Sequence, residues 1–485
     1  MANTSGSISS AGIGSGLDVN SIVTSLLNVE RLPLKNLQTA ATTFQSKLSA
    51  FGQMQSFVSS LHDAAQQLQN ADSFAVTTAT SSDATAVGAT STTKAIVGAY
   101  AVSVTALSST QSTVSASGQF ASPADVVGTG SLTISLGTWS AGQTSFTAKP
   151  GTSDIVIPIG ASANTLAGIR DKINAANAGV SATIVTDASG ARLALQSTST
   201  GAANGFRVQV ADDDTTNADA TGLSRLAYDP PAATGTTITQ SAANAKASIN
   251  GIAVETTDNT LTNVVDGLTF TLTKVTTAPV SVSITHNTDS VKSLVTGFVA
   301  AYNALASYLA TATQYDASTK TGALLQGDAT TTGLQNQLRA QISQAGTAST
   351  VFGSLSNIGL EFQKDGRLKV NDTKLNAALA KLPELTKALT NVDLTNAANN
   401  GFAKKITGWT DGLLSVTGSL SGKAKSIRSQ IASNQKDQDN LNDRLTATEA
   451  RIRGQYSTLD STISNANALQ KYVTQQITTW NKSTA

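Results

Sequence analysis

Apolar positions recur in steps of seven at both ends of this chain. Toward the C-terminus, Ile431, Gln438, Leu445, Ile452, Leu459, Ala466, Val473 and Trp480 are spaced by seven, and Ile427, Leu441, Tyr456, Ile463 and Ile477 sit three or four residues away. A seven-residue row with such a companion puts its apolar groups on one face of a helix and defines a coiled-coil seam. A shorter row runs near the N-terminus through Leu37, Phe44, Phe51, Val58 and Ala65, flanked by Leu48, Met54, Leu61 and Leu68. Gln438, Gln455 and Gln470 lie on or near the longer seam. Polar groups there weaken it, and the entropy of ordering so long a segment is large. We therefore expect both ends to order when they meet helices of other subunits. A helical hairpin formed within one chain is the alternative.

Between the seams the period changes. Ile22, Val23, Leu26 and Leu27 mark a first helix, which Leu32-Pro33-Leu34 interrupts because proline suits the first turn of a new helix. The second helix runs to about Asp72. From Ser73 the texture becomes Thr, Ser, Ala and Val, and one parity carries Ile96, Tyr100, Val102 and Val104. Alternation of this kind marks strands, repeated at Leu132-Ile134-Leu136 and Ile155-Ile157-Ile159. A Gly/Ser/Pro-rich run at 118–130 reads as a boundary. A compact module follows: a helix capped by Asn164 or Thr165 with Leu166, Ile169 and Ile173 on one face, ended by Gly179, then a hairpin around Asp187 to Gly190, then a strand with Phe206, Val208 and Val210.

A second β stretch follows Tyr228-Asp229-Pro230-Pro231, with Asn250-Gly251 and Asp266-Gly267 as turns. From Asp289 the helical period returns through Val291, Leu294, Val295, Phe298, Tyr302, Leu305 and Leu309, and further helical patterns occupy about 322–345 and 371–390. Helix, strands and helix in that order imply nesting. The expected fold class is multidomain α+β, with β-rich domains inserted between coiled-coil ends and a helical domain. The expected divisions are 1–42 with 423–485 as a terminal leg, 43–73 with 289–422 as the helical domain, 74–120 with 240–288 as a β-rich domain, and 121–239 as a further β-rich insertion.

Composition narrows the function. The chain has 485 residues, a net charge of +1 and only 13% charged residues, which does not suit nucleic-acid binding through a basic surface. Cysteine is absent, so disulfides, thiolate metal sites and a cysteine nucleophile are excluded. The start Met-Ala-Asn-Thr-Ser-Gly has no basic residue and no apolar core, so a general secretory signal is not expected, and no segment reads as a membrane span. The two histidines, His62 and His286, read as surface or interface positions. Asp212-Asp213-Asp214 lacks the glycine and distal glutamate of a calcium loop, and Gly12 to Gly16 lacks the preceding strand and spacing of a dinucleotide fingerprint. Trp139, Trp409 and Trp480 read as core or interface anchors. No catalytic residue, metal ligand or cofactor site is expected, and the chain reads as a non-enzyme.

Several segments converge on one family. Gly14-Ser15-Gly16-Leu17-Asp18-Val19 with Ile22-Val23, followed by Glu30-Arg31-Leu32-Pro33-Leu34, resembles the opening of the bacterial flagellar filament cap family, hook-associated protein 2. Ala247 to Gly251, Asp266 to Phe270, Ala301-Tyr302-Asn303, Gly322 to Asp328, Leu355 to Gly359 and Asp365-Gly366-Arg367-Leu368 are similar to its second half. The 165–208 module is similar to the insertion motif of flagellin and hook-associated proteins. The resemblance implies a secreted, extracellular protein at the filament tip, exported by the flagellar type III pathway with a cytoplasmic chaperone. It further implies a ring-like homo-oligomer that contacts flagellin and hook–filament junction proteins, lets incoming flagellin fold and insert, and prevents its loss. It places these contacts on the terminal helices, and no membrane insertion follows. A flagellin-like filament subunit and a secreted surface adhesin binding host glycans or mucin are the competing readings.

Overall fold

The computed structural model describes residues 18–483; Gly16 and Leu17 of the opening motif lie outside them. Helix α1 (Val19–Glu30) begins where the Asp18 carboxylate accepts the Ser21 N–H at 3.0 Å, an N-cap. Helix α2 (Leu32–Gln69) follows after the single residue Arg31, with Pro33 in its first turn, where no N–H is needed. Glu30, Arg31 and Pro33 thus form a helix-to-helix joint. Within α2, Phe51, Met54, Val58, Leu61, Ala65 and Leu68 are buried, whereas Leu37 and Phe44 are half-buried.

Residues Phe74–Thr288 form one compact unit. Its strands open with β1 (Thr77–Ser81), β2 (Val87–Ser91), β3 (Gly98–Ala106), β4 (Ser112–Ser115), β5 (Gly130–Trp139), β6 (Phe146–Ala148) and β7 (Ile155–Ile159). Helix α3 (Leu166–Ala176) precedes β8 (Val180–Asp187), β9 (Gly190–Ser197), β10 (Gly205–Asp212), β11 (Tyr228–Asp229), β12 (Ala233–Thr234) and β13 (Thr236–Gln240). The chain then adds β14 (Ala245–Ile249), β15 (Ile252–Thr256), β16 (Thr260–Val265), β17 (Leu268–Leu272) and β18 (Val280–His286). A sheet ordered β1-β18-β3-β14-β15 and a sheet ordered β16-β17-β2 enclose one core that includes Val102, Val104, Phe270 and Val282. A second core, with Leu132, Ile134, Leu166, Ile169, Leu193 and Phe206, lies between α3, the sheet β12-β11-β10-β5-β6 and the sheet β13-β4-β9-β8.

Strand pairing moves the insertion outward from 121–239. Strand β4 pairs with both β9 and β13, and a bridge between Ser109 and Ala243 closes the neck. The Gly/Ser/Pro-rich run at 118–130 is a loop inside the insertion. Pairing partners, which composition does not reveal, set this boundary.

The remaining described residues, 18–73 with 289–483, form the other compact unit. Helix α4 (Thr288–Thr313) is long and apolar enough to cross a membrane by length and composition, contrary to the sequence reading. Its stripe Val291, Val295, Phe298, Tyr302, Leu305 and Leu309 is buried in this unit, as in a core helix. A small hairpin, β19 (Tyr315–Asp316) and β20 (Thr321–Gly322), leads to α5 (Ala329–Ser343) and the short α6 (Leu355–Ile358). After β21 (Leu360–Phe362) and β22 (Leu368–Val370) come α7 (Asp372–Leu379), α8 (Leu382–Thr390), α9 (Phe402–Leu414) and the 65-residue α10 (Ser419–Ser483). Both α9 and α10 pack along α2. Helices α2 and α10 run unbroken across 42/43 and 422/423, so leg and helical domain share continuous helices. At the α2–α9 contact, His62 Nδ1 lies 3.0 Å from the Thr410 hydroxyl and 3.5 Å from an Asp411 carboxylate oxygen.

Four side-chain amides complete the backbone pairing. Gln111 donates to Phe206 O at 2.8 Å and accepts its N–H at 3.0 Å; Asn174 does the same for Ala182, Asn259 for Ser108 and Asn303 for Leu368. Each amide stands in for a neighbouring strand. Asn303→Leu removes both bonds to Leu368 and should destabilise the helical unit by about 1–3 kcal/mol. Hydrogen exchange should quicken around 360–370 while β14 and β15 keep their protection; equal exchange in mutant and wild type would disprove the brace.

Candidate partner-binding helices

Helix α10 changes character along its length. Leu420, Ala424, Ile427, Leu441 and Leu445 are buried, and Ile431 is half-buried. The Lys423 ammonium lies 5.9 Å from the Phe51 ring and 2.8 Å from an Asp328 carboxylate oxygen, tying the start of α10 to α2 and α5. Further along, Arg453 Nη1 donates to Asn20 Oδ1 at 3.0 Å, so α10 runs antiparallel to α2 and then to α1. Arg453 also holds Glu449, its neighbour one turn earlier, at 2.9 Å.

The α1–α10 contact has a small core of its own. Val19, Val23 and Leu27 are buried there against the half-buried Ile452 and Tyr456. These α1 residues share one face, being four apart. Past Tyr456 the apolar row is more exposed: Ile463 is half-buried, while Leu459, Leu469, Tyr472, Val473, Ile477 and Trp480 are 44%, 64%, 60%, 47%, 54% and 72% exposed. From Leu459 to Trp480 the row is about 32 Å long at 1.5 Å per residue.

This distribution divides the seam residues. Phe51 and Val58 are fully buried and Leu445 nearly so, which removes them from the candidates for contact with another chain. Leu37, Phe44 and Ile431 are half-buried along the α2–α10 pair, and Ile452 and Tyr456 are engaged by α1. Leu459, Val473, Ile477 and Trp480, with Ile463 beside them, remain on the exposed row. Within the chain, α2 and α9 supply the first half of α10 with apolar partners that a single seam does not display, the arrangement the hairpin alternative describes. Leu469 and Tyr472 were outside the steps of seven, although Leu469 precedes Val473 by one turn. The packing of the α1 stripe against Ile452 and Tyr456 had no sequence signal beyond that stripe.

The other motifs are structural. Tyr302 donates through its hydroxyl to Gly366 O at 3.1 Å beside the Asn303–Leu368 pair, so two distant motif segments meet in one brace. Burial pushes the Tyr302 phenol up to about 12. Gly366 has φ +87°, a conformation that favours glycine. No group of three or more His, Cys, Asp or Glu side chains that could hold a metal occurs among the described residues.

Two family models described as flagellar hook-associated protein 2 match this chain, the N-terminal one over residues 15–111 and the C-terminal one over 242–468. The flagellar hook-associated protein 2 of Escherichia coli K12 is 33% identical over 484 residues, covering 97% of this chain and 98% of that one. The chain belongs to the hook-associated protein 2 family. The B-type flagellar hook-associated protein 2 of Pseudomonas aeruginosa is 30% identical, with 96% and 97% of the two chains covered. The crystal structure of domains D1–D2–D3 of the Escherichia coli flagellar cap protein is similar at a TM-score of 0.56 and 30% identity, over 78% of this chain and 99% of that one. A flagellin hook IN motif matches residues 145–199, so the insertion motif starts earlier than 165, takes in β6 and β7, and ends before β10. The exposed row from Leu469 to Trp480 lies beyond the C-terminal family match.

Leu27→Ala should cost the α1–α10 contact about 2–5 kcal/mol, the usual loss for a buried leucine. Exchange of the α1 amides should then accelerate by more than about tenfold, with Leu441 and Leu445 unaffected. Unchanged α1 protection would show that this contact does not hold the helix.

Proposed function

We propose that this chain caps the distal end of the bacterial flagellar filament as a homo-oligomer, and that the exposed row on α10 is the leg surface that seats on helical partners there. The observation that carries this reading is the exposed apolar stripe of Leu459, Leu469, Val473 and Ile477, which continues the seam that α10 uses within the chain. Membership of the hook-associated protein 2 family supports the setting. Flagellin is the partner at the filament end. The cap lets incoming subunits fold and insert, and prevents their escape. The hook–filament junction proteins meet the same surface before the filament grows, and a cytoplasmic chaperone shields it before type III export. The protein works as a structural part of the flagellum at the filament tip, not as an enzyme.

Leu459→Asp tests the assignment. In the free chain Leu459 is 44% exposed, so a carboxylate there is solvated and should change stability by less than about 0.5 kcal/mol. In an assembled helix bundle the same carboxylate is buried without a partner, at a cost of several kcal/mol. The mutant should be exported and folded, yet cells carrying it should release unpolymerised flagellin into the medium. Normal filaments on those cells would overturn the leg assignment.

A further inference from the structure

An asparagine followed by glycine is the pair in which the main chain most readily attacks its own side chain, because glycine has no Cβ to hinder the approach of its nitrogen. The chain has three such pairs, Asn204-Gly205, Asn250-Gly251 and Asn400-Gly401. The fold treats them differently.

Two of the pairs are locked. Gly205 is buried at the start of β10 and donates its N–H to Ala202 O. The Asn204 amide is held at both ends, its Oδ1 accepting from the Lys149 ammonium at 2.6 Å and its Nδ2 donating to Thr200 O. Gly401 is also buried and donates its N–H to Asn391 O at 2.8 Å, and a Cβ on it would stand 2.3 Å from Leu389 O. Asn400 Oδ1 accepts the Asp393 N–H at 2.7 Å. In both pairs the nitrogen that would attack is committed to a hydrogen bond inside packed structure.

The third pair is open. Asn250 and Gly251 join β14 to β15 at φ +50° and +84°, the two positive values of a tight hairpin turn, and both residues are exposed. The Gly251 N–H has no hydrogen-bond partner among the described residues, and a Cβ on Gly251 would meet no heavy atom within 4 Å. The Asn250 Nδ2 likewise has no partner among the described residues, so the fold does not retain the group that would leave. Its Oδ1 accepts the Ala101 N–H at 2.8 Å. That donor polarises the Cγ carbonyl and favours the negative charge that attack would place on the oxygen.

We propose that Asn250 is a site of spontaneous deamidation in the folded chain. The Gly251 nitrogen bonds to Asn250 Cγ while its proton passes to a solvent base; the Cγ–Nδ2 bond then breaks, and ammonia leaves with a proton taken from water. Water opens the resulting cyclic imide at either carbonyl, leaving an aspartyl or an isoaspartyl residue and no change of oxidation state. Both products add a negative charge to the turn. The isoaspartyl form also runs the main chain through the former side-chain carbon. That lengthens a turn whose Asn250 N–H bonds Ala101 O at 2.8 Å, and loosens the β14–β15 hairpin from β3. The proposal is independent of filament capping.

The test ages the full chain in mildly alkaline buffer, follows released ammonia, and maps peptides by mass spectrometry with enzymatic labelling of isoaspartate. Asn250 should convert at least about tenfold faster than Asn204 or Asn400. In denaturant the three rates should converge, because the local sequence is then all that remains. Asn250→Gly keeps a residue that tolerates the positive φ and should abolish the fast release of ammonia. Hydrogen exchange at Ala101 should quicken in the aged wild type and not in the aged variant. Retention of the Asn250 amide for as long as either other pair, a rate ratio that persists in the unfolded chain, or fast ammonia release from Asn250→Gly would each overturn the proposal.

Discussion

The antiparallel packing of α2 on α10 is the constraint on which the rest of the helical unit depends. It joins segments from opposite ends of the chain, so the β-rich unit between them is an excursion from a helical pair. Its inner half is closed by Phe51, Met54, Val58 and Leu61 from α2, Ile427, Leu441 and Leu445 from α10, and the flank of α9. Burying a fully enclosed aliphatic or aromatic side chain contributes about 1.5–3 kcal/mol, and this half is dense in them. Among the described residues, its outer half has the Val19–Val23–Leu27 contact with Ile452 and Tyr456 and the Arg453–Asn20 hydrogen bond. The gradient from sealed to open along one continuous helix lets a stably folded chain carry an incomplete surface.

The proposed role rests on that incompleteness. A subunit that must travel unassembled and then seat among other helices needs apolar surface that its own fold does not consume. An exposed apolar row of this size is uncommon on a solitary protein and supports the partner surface proposed for it. The row on α10 is also poor in charge: between Ser457 and Trp480 only Asp460 and Lys471 are charged. The recognition proposed for it therefore rests on shape and apolar burial more than on ion pairing.

The segments that resemble the family are folding devices more than contact points. Asp18 caps α1, Pro33 starts α2, Asn250 and Gly251 form the β14–β15 turn, and Tyr302, Asn303, Gly366 and Leu368 converge in one hydrogen-bonded brace. Such residues admit few replacements because each satisfies a backbone group or a left-handed φ that others do not. They identify the family through its folding devices.

Much of this was legible in the residues alone. The seven-residue rows located α2 and α10, the alternating parities located the strands of both cores, and Asn250-Gly251, Asp266-Gly267 and Asp187 to Gly190 located hairpins, because these signals are local and follow from backbone geometry. The limits of the insertion were not legible, since β4 is paired by strands far along the chain. The apolar stripe of α4 was legible as one helical face but its neighbours were not, because composition does not say what covers a helix. The same reason divides the seam. Periodicity determined that Phe51, Val58, Leu445, Leu459 and Val473 share the apolar faces of two helices; only the tertiary structure decided that the first three are enclosed within the chain and the last two are left open, because a repeat specifies which side of a helix avoids water and not which neighbour is there to cover it.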